Sequence, residues 1–250
     1  MSKKPLTRDE QFLAKAAGDD VPMPKPLTRV QEFLERIVER LSGSVTDETL
    51  SNAIAPLNAS IAQLSRKTIQ FRHGKGTLTA TASGTNITWQ YGWQQAQGGS
   101  CTFDVKSDNG LICIDFDSIT SLTVSDDAAL KMCLSDLGGK ITNALGLSGC
   151  TSITGDLSDL GGKITNILSL GNCTNITGIY TGTTYPKMFT VSRTSITAAD
   201  MDANLINFAA SGVKSGKFTA AGMKRTAASD NAVATLVANG WAVSGLTKEG

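Results

Sequence analysis

The chain has 250 residues, a formal net charge of +1, 6% aromatic and 18% charged residues. That balance leaves no electrostatic footprint for nucleic acid or an anionic membrane, and no apolar run reaches the roughly 18 residues that span a bilayer. The five cysteines form no C-x-x-C pair and the opening MSKKPLTRDE has no apolar signal core, so the expectation is reduced thiols, no zinc site and no secretory signal.

The first segment is rich in charge and proline. PLTRDEQFL at 5–13 and PLTRVQEFL at 26–34 are near copies. Thr7 with Glu10, and Thr28 with Gln31, fit the capping box, in which the Thr oxygen accepts an orphan N–H and the acid or amide reaches back. GDDVPMPKP between them breaks and links. Residues 1–25 therefore read as a tethered anchor. Its helix is too short to stand alone in water, so Leu6, Phe12, Leu13, Leu27 and Phe33 are expected to dock on a partner.

Residues 26–65 read as a helical oligomerisation stalk. Val30, Leu34, Ile37 and Leu41, then Leu50, Ile54, Leu57, Ile61 and Leu64, follow 4,3 spacing, which makes a short coiled-coil seam interrupted by a loop and by Pro56. Isoleucine in such a seam favours a homotrimer. One amphipathic helix packing on the chain's own body is the alternative.

Residues 66–119 read as a small antiparallel β region packing on a solenoid formed by the rest of the chain. TIQF, GTLTATAS, TNITWQYGW, CTFDVK and LICIDF alternate apolar with polar residues and are rich in Thr, Ile and aromatics. Asn109-Gly110 predicts a tight hairpin.

Residues 120–250 contain a tandem repeat. SDLGGKITN occurs at 135–143 and 158–166, its starts 23 residues apart. Each copy is followed by L-x-L-x-x-C-x-x-I: Leu145, Leu147, Cys150 and Ile153, then Leu168, Leu170, Cys173 and Ile176. This is the spacing of leucine-rich repeats, each unit burying its apolar side only against the next. Leu122 and Val124, Phe189 and Val191, and Phe218 and Ala220 are weaker echoes. Thr197 with Asp200 starts a helix through Phe208, and a second runs from Ser229 to Asn239-Gly240 as a C-terminal cap. The predicted fold is α + β in several parts: anchoring helices and stalk, a small antiparallel region, and an α/β leucine-rich-repeat solenoid.

Candidate chemistry is sparse. His73, the only histidine, is expected in a solvated turn. Asp104, Asp115 and Asp117 are expected on one face of a hairpin, where carboxylates can hold Ca²⁺, do acid–base work or simply face water. Gly-Gly-Lys lacks the rest of the phosphate-loop pattern, the residue after Lys being Ile141 or Ile164. Trp89, Tyr91 and Trp93 alternate along one strand and are either core or candidate glycan contacts. No catalytic residue, cofactor or metal is assigned.

Two resemblances rest on these motifs. The L-x-L-x-x-C units and the ending RTAASDNAVATLVANGWAVSG resemble BspA-like leucine-rich-repeat proteins of gut bacteria and their phages. The PLTR…FL elements resemble the N-terminal segments of phage virion fibre proteins. Together they imply a non-enzymatic structural protein on the virion exterior, made in the bacterial host cytoplasm. It would be a short head fibre or decoration fibre, homotrimeric, held by a capsid or tail protein, and exposing its distal part to a host-surface glycan or protein. A tail fibre, receptor-binding or tail adaptor protein, a bacterial adhesion protein and a carbohydrate-active enzyme are the alternatives.

Overall fold

A computed structural model describes residues 67–249. The predicted N-terminal helices and stalk lie outside the described residues. So do the anchor positions Leu6, Phe12, Leu13, Leu27 and Phe33, and the seam Val30, Leu34, Ile37, Leu41, Leu50, Ile54, Leu57, Ile61 and Leu64.

Alternation dictates the first elements. β1 (Lys67–His73) buries Ile69, Phe71 and His73, and β2 (Gly76–Thr85) buries Leu78, Ala80 and Ala82, each with exposed polar residues between. Next come β3 (Thr88–Tyr91), β4 (Gln94–Gln97), β5 (Ser100–Val105), β6 (Gly110–Phe116), β7 (Ser118–Thr123) and β8 (Leu130–Lys131). The repeat supplies β9 (Ala144–Gly146), β10 (Thr154–Asp156), β11 (Ile167–Ser169) and β12 (Asn175–Thr177). β13 (Met188–Thr190), α1 (Ala198–Ala210), β14 (Lys217–Arg225), α2 (Asp230–Ala238) and β15 (Ala242–Lys248) complete the chain.

These strands form an eight-stranded sheet, ordered β15-β14-β13-β11-β9-β7-β2-β5, and a five-stranded sheet, ordered β4-β3-β6-β1-β8. β10 and β12 pair separately, and a lone Cys133–Thr154 bridge links β10 to the chain just after β8. One continuous apolar core takes the buried side chains of both large sheets.

The predicted fold class is corrected. Among the described residues strand predominates and two α-helices occur. The antiparallel strands are not a separate region packed on an α/β solenoid. β2 pairs antiparallel with β7, Thr81 opposite Thr123 and Ala82 opposite Leu122, so β2 and β5 continue the sheet that β7, β9, β11, β13, β14 and β15 build in parallel. The physical reason lies in the linkers. Between one repeat strand and the next, the chain makes a short strand, β8 or β10, and a four-residue 3₁₀ turn, Leu134–Leu137 or Leu157–Leu160, with no α-helix. Gly-Gly follows each turn, and Gly139 and Gly162 take φ of 66° and 55°, which ends any helix.

The Asn109-Gly110 hairpin is also corrected. β5 pairs with β2 and β6 pairs with β1 and β3, so this turn carries the chain from one sheet to the other.

Within the repeat, Leu145, Leu147, Cys150, Ile153, Leu168, Leu170, Cys173 and Ile176 are all fully buried. β9 and β11 pair in register, Leu145 beside Leu168. Each thiol donates to a carbonyl of the preceding unit: Cys150 Sγ to Val124 O at 3.3 Å and Cys173 Sγ to Leu147 O at 2.9 Å. The cysteine is thus a small buried donor that satisfies a strand-end carbonyl.

At the C-terminal end Thr197 Oγ1 caps α1, accepting from Asp200 N at 3.1 Å. α1 then drives Phe208 into an aromatic cluster, its ring centroid 4.6 Å from Phe189, 5.3 Å from Phe218 and 5.6 Å from Trp241.

Candidate functional site

The residues first considered for chemistry are mostly structural. His73 is not in a solvated turn. It is 1% exposed, with Nε2 2.8 Å from Asp127 Oδ2 and Nδ1 2.5 Å from Gly74 O. Both ring nitrogens are committed: Nε2 ties β1 to the segment before β8, and Nδ1 bonds the carbonyl of the next residue. Burial pushes the Cys101 and Cys150 thiols up to about 11 and Cys173 to about 12, the opposite of what a nucleophile needs.

The three aspartates do not share a site, because the hairpin expected to bring them together does not form. Asp104 lies on β5 and pairs with exposed Lys106. Asp115, on β6 in the other sheet, accepts from Thr68 Oγ1 at 2.7 Å and Gln90 Nε2 at 3.1 Å. Asp117 accepts from Asn86 Nδ2. Among the described residues no cluster of three metal-ligating side chains occurs.

Trp89, Tyr91 and Trp93 separate just as clearly. Trp89 is a core residue, fully buried, with Nε1 donating to Gly98 O at 3.0 Å. It is corrected as a glycan contact. Tyr91 is half-buried against the core, and its hydroxyl accepts from Lys106 N at 3.0 Å. Trp93 is 95% exposed. It sits with Gly92 in the two-residue turn between β3 and β4, where Gly92 takes φ of 57° and lets the turn close without strain.

The outward side of the five-stranded sheet carries polar residues in register. Gln95, Gln90, Cys113 and Gln70 form one row across β4, β3, β6 and β1. Gln97, Thr88, Asp115 and Thr68 form a parallel row. At a strand spacing of about 4.8 Å, four strands extend each row over roughly 14 Å. The amides offer paired donors and acceptors, and the Asp115 bonds fix the Gln90 amide in orientation. Burial raises the Cys113 thiol, helped by the Asp115 charge and opposed by a Gln70 hydrogen bond, so Cys113 acts here as a neutral neighbour.

The third row is Leu111, Arg72 and Lys131. It opens into a groove of 440 Å³ at the seam where β8 ends and the single Cys133–Thr154 bridge begins β10. Phe71 and Met132 form its apolar lining, while Asp136, Ser152 and Thr154 add polar atoms.

Sequence reasoning missed the glutamine rows. Their signal was the placement of Gln70, Gln90 and Gln95 at polar positions of three different segments. The strand order that aligns them is not written locally. No protein-family model, curated protein or solved structure matches the chain.

Proposed function

We propose that this is a non-catalytic binding protein whose β-domain holds a surface saccharide. The observation that carries the reading is Trp93, 95% exposed on a tight turn two residues from Gln95. An indole held in water by a short turn is ready to pack on the apolar C–H face of a sugar ring. Beside it, the row of amides supplies donors and acceptors for sugar hydroxyls without a charge to desolvate. The committed His73 and the high-pKa thiols support binding over nucleophilic catalysis.

The PLTR…FL segments support placing the protein on the exterior of a phage particle, as a short head or decoration fibre. In that setting the N-terminal segment, residues 1–25, attaches it to a capsid or tail protein, and assembly as a homotrimer multiplies weak saccharide contacts by avidity.

Binding of the full chain to an array of bacterial surface glycans tests the first part, with Trp93→Ala as the control. Retention of all signals by Trp93→Ala, or no signal from wild type, overturns it. Immunogold labelling of intact particles tests the second; label confined to host cytoplasm overturns it.

A further inference from the structure

We infer that the groove at the sheet seam is an anion subsite, so that the saccharide held here is an acidic one, bearing carboxylate or phosphate. This rests on the saccharide-binding reading and adds the charge of the ligand.

Arg72 and Lys131 are register partners on adjacent antiparallel strands. Like charges directly opposite each other are destabilising in a sheet. A neighbouring carboxylate would normally relieve that repulsion, yet among the described residues neither cation makes an ion pair. Their bonds go to neutral backbone oxygens: Arg72 Nη1 to Asn109 O at 3.2 Å and Lys131 Nζ to Asp108 O at 2.9 Å. These bonds hold both arms beside the turn at residues 107–110. Each head keeps donors in reserve, since a guanidinium carries five N–H groups and an ammonium three.

Both side chains line the groove, and so does Asp136. Its carboxylate accepts from Cys133 N at 3.1 Å, which holds it at the start of a 3₁₀ turn. Its charge offsets one of the two cations, so the groove lining keeps a net positive charge. Ser152 and Thr154 also line the groove, and Ser152 Oγ donates to Ala128 O at 2.8 Å. A bound carboxylate or phosphate would bridge the two cations, with the Thr154 side chain beside them for the rest of the ring. Gln70 lines the groove and also ends the amide row, so a saccharide lying along the row reaches the cations without leaving the protein surface.

The experiment uses the full chain, calorimetry and amide NMR, with three probes: a galacturonate hexamer, its neutral methyl ester, and inorganic phosphate. The expected result is that the acid hexamer binds at least about tenfold more tightly than the ester, the worth of one charge-assisted hydrogen bond. The preference should collapse in R72Q/K131Q and weaken as salt rises from ~0.05 to ~0.5 M. Lys131→Gln alone keeps the comparison intact if the double variant melts early, and should lose part of the preference.

Equal binding of acid and ester overturns the anion subsite while leaving the saccharide reading standing. Phosphate shifts at Arg72 and Lys131 without binding of either hexamer support the subsite and count against the saccharide reading. No shift at these residues with any probe, or an acid preference unchanged in both variants, overturns the inference.

Discussion

The two identical copies of SDLGGKITN place Gly139 and Gly162 at equivalent positions, so alanine at each compares one local sequence in two surroundings. Both glycines have positive φ, 66° and 55°. Each alanine therefore carries a left-handed penalty of roughly 1–2 kcal/mol. At Gly139 that is nearly all, because the nearest atoms to an added Cβ belong to the Lys163 side chain, from 3.5 Å outward. At Gly162 the Cβ would stand 2.2 Å from Gly182 Cα and 2.3 Å from Thr181 O, both backbone atoms. Normal contact between carbons needs about 3.5 Å or more, so the two segments must part by more than an ångström. Parting them endangers two hydrogen bonds to Gly162 O, from Thr184 N at 3.2 Å and Thr184 Oγ1 at 2.9 Å. Each is worth about 0.5–1.5 kcal/mol. The expected losses are roughly 1–2 kcal/mol for Gly139→Ala and roughly 2–5 kcal/mol for Gly162→Ala. Urea unfolding of the full chain, followed by circular dichroism, measures both. Equal losses, or a smaller loss at Gly162, would refute the claim that the close approach to residues 181–182 dictates that glycine.

Buried Asp202 accepts from Thr226 N at 3.0 Å, Thr226 Oγ1 at 2.6 Å and the Ser229 hydroxyl. Burial pushes its carboxyl up, but the Ser229 and Thr226 bonds and the Arg225 charge outweigh that and hold it below the usual range. A lowered folded pKa means stability that is present above the unfolded carboxylate value and lost as pH falls through the folded one. Asp202→Asn should therefore lose about 1–3 kcal/mol at pH 7, with the gap to wild type narrowing as pH drops below about 4; a gap independent of pH would contradict this. Native-state alkylation read by mass spectrometry should modify Cys113 and Cys133, which are partly exposed, well before Cys101, Cys150 and Cys173, which are buried. Early labelling of Cys173 would break the case for its bond to Leu147 O. Trp93→Ala should change unfolding stability by less than about 0.5 kcal/mol, as an exposed residue does, and a larger loss would reassign Trp93 to packing.

The range of each interaction decides whether the sequence makes it legible. The pairing of Leu145 with Leu168 can be read directly, because identical units stack with a fixed period and place equivalent residues side by side. The start of α1 at Thr197 is legible for a similar reason, since a cap is a contact between residues three apart. Strand order is different. Asn109-Gly110 carries a strong local preference for a hairpin, yet β5 and β6 part into separate sheets because each finds a longer partner: β5 pairs with six residues of β2, and β6 with seven of β1. A two-residue preference is worth little against a full ladder with one face buried. The same competition hides the candidate site. Gln70, Gln90 and Gln95 lie in separate segments, and only the order β4-β3-β6-β1 turns them into a row. Arg72 and Lys131 stand far apart in sequence and become cross-strand neighbours only when β8 closes the edge of that sheet. The proposed binding surface is thus a product of non-local pairing, and its two ends are set independently. Trp93 depends on a local turn, whereas the cation pair depends on the β1–β8 edge. Disturbing that edge should abolish the charge preference and leave the aromatic contact in place, which is why the acid and neutral probes report on different parts of the fold.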